Sequence, residues 1–421
     1  MNPIQVDRRT FLKSSALLTG GLMLGISLPE LMRDAKAAGT LYTPNAWVHI
    51  ADDNTITLLS ARSEMGQGVY TSMPMLIAEE LHVDLRTVNV AIAPPGKDYV
   101  NALLGAQITG GSTSVRDGWE KLRVAGAQVR EMLISAAADK WQVDRSTLKA
   151  EDGKVIAPDG RTATYGELAE AASKLPVPEK VALSDPKDFR IVGRATKRLD
   201  TPAKVNGTAE FGIDVRMPGM VYASLVQCPV IGGSVKSYDA TQAKSMPGVI
   251  DVVQLPDGVA VVADRYWRAK KARDTVKVEW DEGPVAAISN ASMRASIKEA
   301  SLSEHFIPIK SVGDAKGAMS SGVKVIKASY EMPLQAHAPM EPMNFTAYVH
   351  DGKCTLSGPT QFQQGAAGAV AAAIGVKPED ITLHTTFLGG GFGRRLELDF
   401  IVQAALISKA VDRPVKLIWT R

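Results

Sequence analysis

Apolar and polar positions alternate twice near the start of the chain. Trp47-Val48-His49-Ile50 and Thr55-Ile56-Thr57-Leu58-Leu59 flank Ala51-Asp52-Asp53-Asn54, a pattern that predicts a hairpin. Ser72 to Leu81 has helical spacing, with Pro74 tolerated in the first turn. Val88 to Ile92 alternates as a strand. From about Val115 to Trp141 a long helix is expected, with Trp119, Leu122, Val129, Leu133 and Ile134 near one stripe. Prolines mark a connector around 175–190. Beyond it, Val249 to Val253 and Val259 to Val262 are buried-type strands, Trp267 to Arg273 is a short helix, and Val276 to Trp280 is another strand. Residues 284–325 are polar and rich in Ser and Ala, which predicts a helical linker. A third unit starts near Ile326. In it, a strand from Ile381 to Phe387 enters a triple glycine, a helix runs from Leu396 to Ala410, and Val415 to Trp419 is a last strand. This is a mixed α/β (α+β) pattern without internal repeats.

Composition narrows the chemistry. At 421 residues there is room for two or three domains, and 45% apolar with 22% charged residues is ordinary for a globular protein. A net charge of +3 without a Lys/Arg run gives no argument for nucleic acid. Cys228 and Cys354 are far apart and read as buried free thiols; no CxxC exists, so the chain holds no iron–sulfur cluster by itself. The six histidines never fall at metal-ligand spacing, so no protein-built metal site is expected, and any metal must arrive already held.

The first residues look like an address. Asp7-Arg8-Arg9-Thr10-Phe11-Leu12-Lys13 resembles the twin-arginine export signal, and an apolar run from Ser14 to Leu28 follows. That run is shorter than the ~20 residues of a spanning helix. Ala35-Lys36-Ala37 offers small residues for cleavage after Ala37, so residues 1–37 are expected to be removed and the protein to be periplasmic. Twin-arginine export moves folded proteins and serves enzymes whose cofactor is inserted before crossing.

Three glycine-rich segments could carry chemistry. Glu64-Met65-Gly66-Gln67-Gly68 precedes a helix whose N-terminal amides could face an anion, or is a plain strand-to-helix turn. Thr109-Gly110-Gly111-Ser112-Thr113-Ser114 opens the long helix and suits phosphate capture or simple N-capping. Gly389-Gly390-Gly391-Phe392-Gly393-Arg394-Arg395 is not a dinucleotide fingerprint, because the last glycine of GxGxxG would fall at Arg394. It describes instead a loop whose backbone lies against something flat, with arginines suited to phosphates.

Together these segments resemble the pterin-binding loops of the molybdenum hydroxylase (xanthine dehydrogenase/aldehyde oxidase) family. Gly193 to Met220 is similar to that family's α/β hammerhead domain, and His337 to Pro342 with Thr360-Gln361 to the start of its first molybdopterin domain. The implied organisation is a molybdopterin-binding segment at 38–180, a hammerhead domain at 190–283, a linker at 284–325 and an incomplete first molybdopterin domain at 326–421. The implied cofactor contacts are Gly66, Gln67, Gly68, Gly110, Gly111, Ser112, Thr113, Ser114, Gly390, Gly391, Phe392, Gly393 and Arg394, expected to converge on one cavity. Gln361 and Phe392 are the implied catalytic-side residues, Gln361 by hydrogen bonding to the molybdenum oxo group.

The MGQG segment precedes GGGFG here, an order that resembles the isoquinoline 1-oxidoreductase beta subunit type. That resemblance implies a molybdenum–molybdopterin cytosine dinucleotide cofactor, [2Fe-2S] clusters carried only by a small partner subunit, and in some members a cytochrome c. It implies hydroxylation of an aldehyde or N-heterocycle, activated by a glutamate base in a Gly-x-Gly-Glu stretch. No such stretch occurs here, so the chain is expected to stop before its catalytic machinery ends and to be inactive alone. Glu341 and Glu397 are expected to be structural rather than substitutes. Leu396, just after GGGFG, favours aldehydes or heterocycles over purines. The competing expectations are a non-catalytic cofactor-binding or scaffold protein, and an ordinary periplasmic binding module.

Overall fold

A computed structural model describes residues 40–421 except 304 and 306. The twin-arginine reading of Arg8 and Arg9 and cleavage after Ala37 lie outside these residues.

The first sheet holds β1 (Leu41–Asn45), β2 (Val48–Ala51) and β3 (Ile56–Ser60), paired antiparallel, then β4 (Asn89–Ile92) parallel to β3. A parallel pair needs a crossover, and helix α1 (Val69–Leu81) supplies it. Helix α2 (Ser114–Trp141) packs along α1. The two approach closely at Gly126, where a Cβ would stand 2.4 Å from the Ile77 carbonyl oxygen. Leu122, Val129, Leu133 and Ile134 are buried as the stripe predicts, against Met73, Ile77 and Leu81. Trp119 departs from the expectation. It is 40% exposed and stands edge-on to Phe189 of the connector, with Arg123 over its ring.

That connector is strapped down by two adjacent buried carboxylates of α1. Glu79 accepts from the amides of Arg190, Ile191 and Val192, each at 2.7 Å. Glu80 takes Arg123 and Arg130, and also Ser184. Breaking a buried ion pair of this kind costs about 3–5 kcal/mol. A three-stranded sheet, β5 (Lys149–Glu151), β6 (Lys154–Ile156) and β7 (Thr162–Thr164), precedes α3 (Tyr165–Ser173), which Thr164 and Glu167 start with a reciprocal capping box. Helix α4 (Thr201–Asn206) follows the connector.

The remaining elements are β8 (Val221–Gln227), β9 (Ser234–Asp239), α5 (Thr241–Lys244), β10 (Val249–Leu255), β11 (Gly258–Ala263), α6 (Tyr266–Arg273), β12 (Lys277–Asp281), α7 (Asn290–Leu302), α8 (Ala315–Ser321), β13 (Asn344–His350), β14 (Lys353–Gly358), α9 (Gln363–Ile374), β15 (Ile381–Thr385), α10 (Asp399–Val411) and β16 (Val415–Ile418). Seven of the strands form one sheet in the order β10-β11-β8-β16-β13-β14-β15. The expected units 190–283 and 326–421 therefore share a sheet. Val415, Lys416 and Leu417 pair in parallel with Val221, Tyr222 and Ala223. Helix α6 covers β8 and β11, while α9 and α10 cover the other end over a core of Phe345, Leu356, Val370, Phe400 and Leu417. The linker is helical in α7 and α8 and has no buried residue in either. The third unit was expected to begin near Ile326, but its first strand begins at Asn344, because 322–340 extends over the surface without regular pairing. Cys354 is buried and Cys228 only half-buried, and both are free.

Candidate functional site

The segment leaving β3 carries Glu64, whose side chain is fully buried. Its Oε1 accepts from the amides of Gly66 (2.8 Å) and Gly68 (3.1 Å), and its Oε2 from the amide of Tyr70 (2.9 Å). The expectation of open amides at this helix start is corrected. A helix N-terminus carries a positive dipole end and orphan N–H groups, and the chain fills this one with its own carboxylate. Gly66 (φ +115°) and Gly68 (φ +91°) adopt the left-handed backbone that bends the loop round that carboxylate. The Gln67 side chain also turns inward, accepting from the Met65 amide at 2.8 Å and donating to the Ser63 carbonyl at 2.9 Å.

The second loop is tied to the third through Gln361. The Thr109 amide donates to the Gln361 carbonyl (2.8 Å), and Gln361 Nε2 donates to the Thr109 carbonyl (2.9 Å). Gln361 Oε1 accepts from the Gly393 amide at 3.1 Å, and the Gln361 amide donates to the Arg395 carbonyl at 2.9 Å. The first loop joins them: the Ser63 amide donates to Thr109 Oγ1 (2.9 Å), and the Leu388 amide donates to the Glu64 carbonyl (3.0 Å). At Gly391 a Cβ would stand 2.5 Å from Met65 Sδ and 2.6 Å from Gln361 Oε1, so a residue without a side chain lets the loops touch there. Segments some 300 residues apart thus meet, as Gln363 Nε2 donating to Ser63 Oγ across 300 positions shows.

The start of α2 differs from that of α1. Thr113 does not cap it. Its hydroxyl donates to the Gly110 carbonyl (2.7 Å) and accepts from Asn101 Nδ2 (2.7 Å). The amides of Gly111, Ser112 and Ser114 to Arg116 have no partner among the described residues. Gly111 (φ +60°) and Ser112 (φ +54°) turn the loop outward, and both are exposed. On the third loop Phe392 (φ +54°) is 69% exposed beside Gly390 and Gly393, also at positive φ. Arg394 is engaged elsewhere, paired with Asp399 at 2.8 Å and lying over the Trp419 ring.

The loops meet through these contacts, and Gly66, Gln67, Gly111, Ser112 and Phe392 are exposed there. A cavity of ≈ 1090 Å³ lies between the end of α1 and the connector, lined by His82, Arg190 and Arg194 among others. Another of ≈ 400 Å³ separates β4 from β15, beside Tyr70, Glu210 and Phe387. Neither contains a predicted contact residue of the three loops.

Residues 15–215 and residues 299–421 each match a family described as molybdopterin cofactor-binding domain, so MGQG and TGGSTS fall in one match and GGGFGRR in the other. The beta subunit of isoquinoline 1-oxidoreductase from Brevundimonas diminuta is 32% identical over 469 residues, covering 99% of this chain and 60% of that protein. The chain belongs to the molybdenum hydroxylases. Other relatives include the membrane-bound aldehyde dehydrogenase (pyrroloquinoline-quinone) of Gluconacetobacter polyoxogenes, 32% identical over 99% of this chain and 56% of that protein. A nicotinate dehydrogenase subunit of Pseudomonas putida is 27% identical over 89% of this chain and 32% of that protein. The chain spans 60% or less of the length of these curated relatives.

The face fits the pterin cofactor of a molybdenum hydroxylase. Gly66 and Gly68 have nothing within 4 Å of a built Cβ, so a flat group can lie against bare backbone. The open amides of α2 suit an anionic tail. Among the described residues no cluster of three or more His, Cys, Asp or Glu is placed to hold a metal ion. Of the predicted residues, Gly66, Gln67, Gly111, Ser112 and Phe392 are exposed on this face, while Thr113 serves the loop's interior.

Glu341 is buried and fully engaged. Its carboxylate accepts from the amides of Ile213 and Gly389 and from Asn344 Nδ2, and pairs with buried Arg395 at 3.0 Å. Glu397 is exposed. The sequence reading missed two residues that shape the face, Arg198 and Asp200. Arg198 Nη2 lies 3.0 Å from Glu64 Oε1, and its Nη1 donates to the Gly66 carbonyl at 2.8 Å. Asp200 holds the same guanidinium, through Nε at 3.0 Å and Nη2 at 2.6 Å, and also pairs with Lys204. Burial raises the Asp200 carboxyl, but the hydrogen bonds and charges of Arg198 and Lys204 outweigh it and hold the group down to about 2. The signal available was the Arg-x-Asp-x-x-x-Lys spacing, which places an acid and a base one helical turn apart.

Proposed function

We propose that the chain forms the cofactor-binding part of a large subunit that oxidises an aldehyde or an N-heteroaromatic by water-derived hydroxylation. The observation that carries this is the junction of three sequence-remote loops through Gln361 on one glycine-lined face. The cofactor, when bound, supplies the two-electron redox chemistry. The residues do the rest. The open amides at Ser112 and at Ser114 to Arg116 hold the pyrophosphate of a cytosine dinucleotide form. Exposed Phe392 stands beside the bare glycines to stack on a planar group. Gln361 keeps one Nε2 hydrogen after its bond to Thr109, and that hydrogen would be available to the molybdenum oxo group.

Two relatives are named for N-heteroaromatic compounds and one for an aldehyde, which supports that substrate class. Two are named as subunits. With only Cys228 and Cys354 in these 421 residues, the [2Fe-2S] clusters belong to a small partner subunit, in some assemblies joined by a cytochrome c. Arg8-Arg9 supports periplasmic delivery. A second reading, a cofactor-binding protein without turnover, draws on the full engagement of Glu64 and Glu341, two of the buried carboxylates bordering the loops.

The test is extraction of the purified protein, followed by dye reduction with benzaldehyde and isoquinoline in the presence of the iron–sulfur partner. Molybdenum and a cytosine nucleotide with turnover are expected. Cofactor without turnover supports the second reading, and a bound quinone in place of pterin overturns both.

A further inference from the structure

We propose that Arg198 is the positioning residue of the cofactor face: its guanidinium locks Glu64 into the amide nest of the MGQG loop and thereby sets the backbone against which Gly391 packs. The proposal rests on the reading of that face as the pterin site.

The argument begins with a buried charge. Glu64 is fully buried, and an unpaired buried carboxylate is costly even when hydrogen-bonded to amides. Arg198 supplies the opposite charge at 3.0 Å from a position 134 residues away, whereas Lys204 stands at 3.8 Å. The same guanidinium grips the loop a second time, at the Gly66 carbonyl. Its orientation is fixed from behind by Asp200, which takes Nε and Nη2 together in the fork geometry that arginine alone provides.

Two carboxylates and two cations are thus closed into one neutral cluster. The strap that carries it is itself anchored, since the Leu199 amide donates to Thr71 Oγ1 on α1 at 2.9 Å. The cluster also reaches the third loop. Lys204 lies 4.9 Å over the ring of Phe387, and the next residue, Leu388, donates its amide to the Glu64 carbonyl. Met65, between Glu64 and Gly66, is the residue whose sulfur abuts Gly391. A shift of the Glu64 nest therefore moves the contact between the MGQG and GGGFG loops. The TGGSTS loop has no bond to Arg198.

The experiment is amide hydrogen exchange on the full chain, wild type against Arg198→Ala, Arg198→Lys and Arg198→Ala with sub-denaturing guanidinium ion, together with molybdenum and pterin content. In Arg198→Ala, exchange at Gly66, Gly68 and Tyr70 is expected to speed up by about tenfold or more, with protection of α10 unchanged. Added guanidinium restores protection, and Arg198→Lys recovers it only partly, because lysine keeps the charge without the fork. Cofactor content falls in parallel. Exchange at Gly66 to Tyr70 within about twofold of wild type overturns the proposal, and so does loosening spread evenly over the chain. If Arg198→Ala does not fold, Asp200→Asn, which frees the guanidinium from its anchor, must loosen the same three amides, and their unchanged protection is equally fatal. A wild-type protein that carries no pterin defeats the reading of the face, while the exchange result still decides the role of Arg198 in the loop.

Discussion

Helices α1 and α2 both leave glycine-rich loops, both loops border the same face, and their first turns are in opposite electrostatic states. At α1 the amides of Gly66, Gly68 and Tyr70 converge on Glu64. At α2 the capping position is held by Thr113, whose hydroxyl is spent on Gly110 and Asn101, and the amides behind it are open. The glycines are alike; the difference is whether an anion of the chain accepts from the helix amides, since Asp117 in the first turn of α2 is spent on Arg62, Lys121 and the Ala102 amide. The first loop is a rigid wall whose charge is internally balanced, and the second is the place where an external anion gains the full dipole and N–H interaction.

The largest expected effect comes from opening the closed end. Glu64→Ala leaves three amides without an acceptor and Arg198 without one of its two carboxylate partners, so the folded state should lose about 3–5 kcal/mol. Urea denaturation checks it. A loss below about 1 kcal/mol would show that the nest is held by the backbone and that the two helix starts differ less than their bonds indicate.

A smaller effect of the same kind is reached by acid. The folded Asp200 carboxyl sits at about 2, below the ~3.9 of an unfolded aspartate. Its contribution is therefore complete above about pH 5 and drains away as the pH falls toward 2, amounting to about 2 kcal/mol. In Asp200→Asn that part of the acid slope should vanish, as thermal unfolding between pH 5 and pH 3 would show. An unchanged slope would mean that the clamp does not titrate as a unit.

The sequence pattern located both helices but not the opposite condition of their ends, since Glu-x-Gly-x-Gly reads equally as a turn and as an anion loop. Local pattern worked where local forces decide. The hairpin of β2 and β3 and the span of α2 follow from periodicity, although α1 begins at Val69 rather than Ser72 because Gly68 and the Glu64 nest start it early. Two hairpins were legible and overlooked: Asp152-Gly153 and Asp351-Gly352 both adopt positive φ in two-residue turns, where Asp-Gly is the expected pair. Helix α9 was hidden by its own composition, because Gln363–Ile374 is an Ala/Gly run with little apolar contrast between faces. The parallel pairing of β8 with β16 joins Val221 to Val415, and no local signal specifies so distant a partner. At the site the three loops and Gln361 were legible as motifs. The Arg-x-Asp-x-x-x-Lys spacing hinted at the pairing of Arg198 with Asp200, but the contacts of Arg198 with Glu64 and the Gly66 carbonyl exist only after folding.

The smallest effect is also the most direct way to remove the difference between the two ends. Ser114→Glu places a carboxylate in the first turn of α2, where Ser114, Val115 and Arg116 have open amides. An acid in an uncapped first turn stabilises a helix by roughly 0.3–1 kcal/mol, so the cofactor-free protein should gain about that much. The gain has a functional cost, because the added charge now stands where an external anion would sit. Inorganic pyrophosphate should raise the thermal midpoint of the wild-type protein by mass action and leave that of Ser114→Glu nearly unmoved. Ser114→Gln, which matches the size of the new side chain without its charge, should keep most of the pyrophosphate response. If Ser114→Glu and wild type respond alike to pyrophosphate, the open amides of α2 are not an anion site and the contrast with α1 has no bearing on ligand binding. If both variants lose the response, bulk rather than charge closes the site, and the two helix ends differ in shape more than in electrostatics.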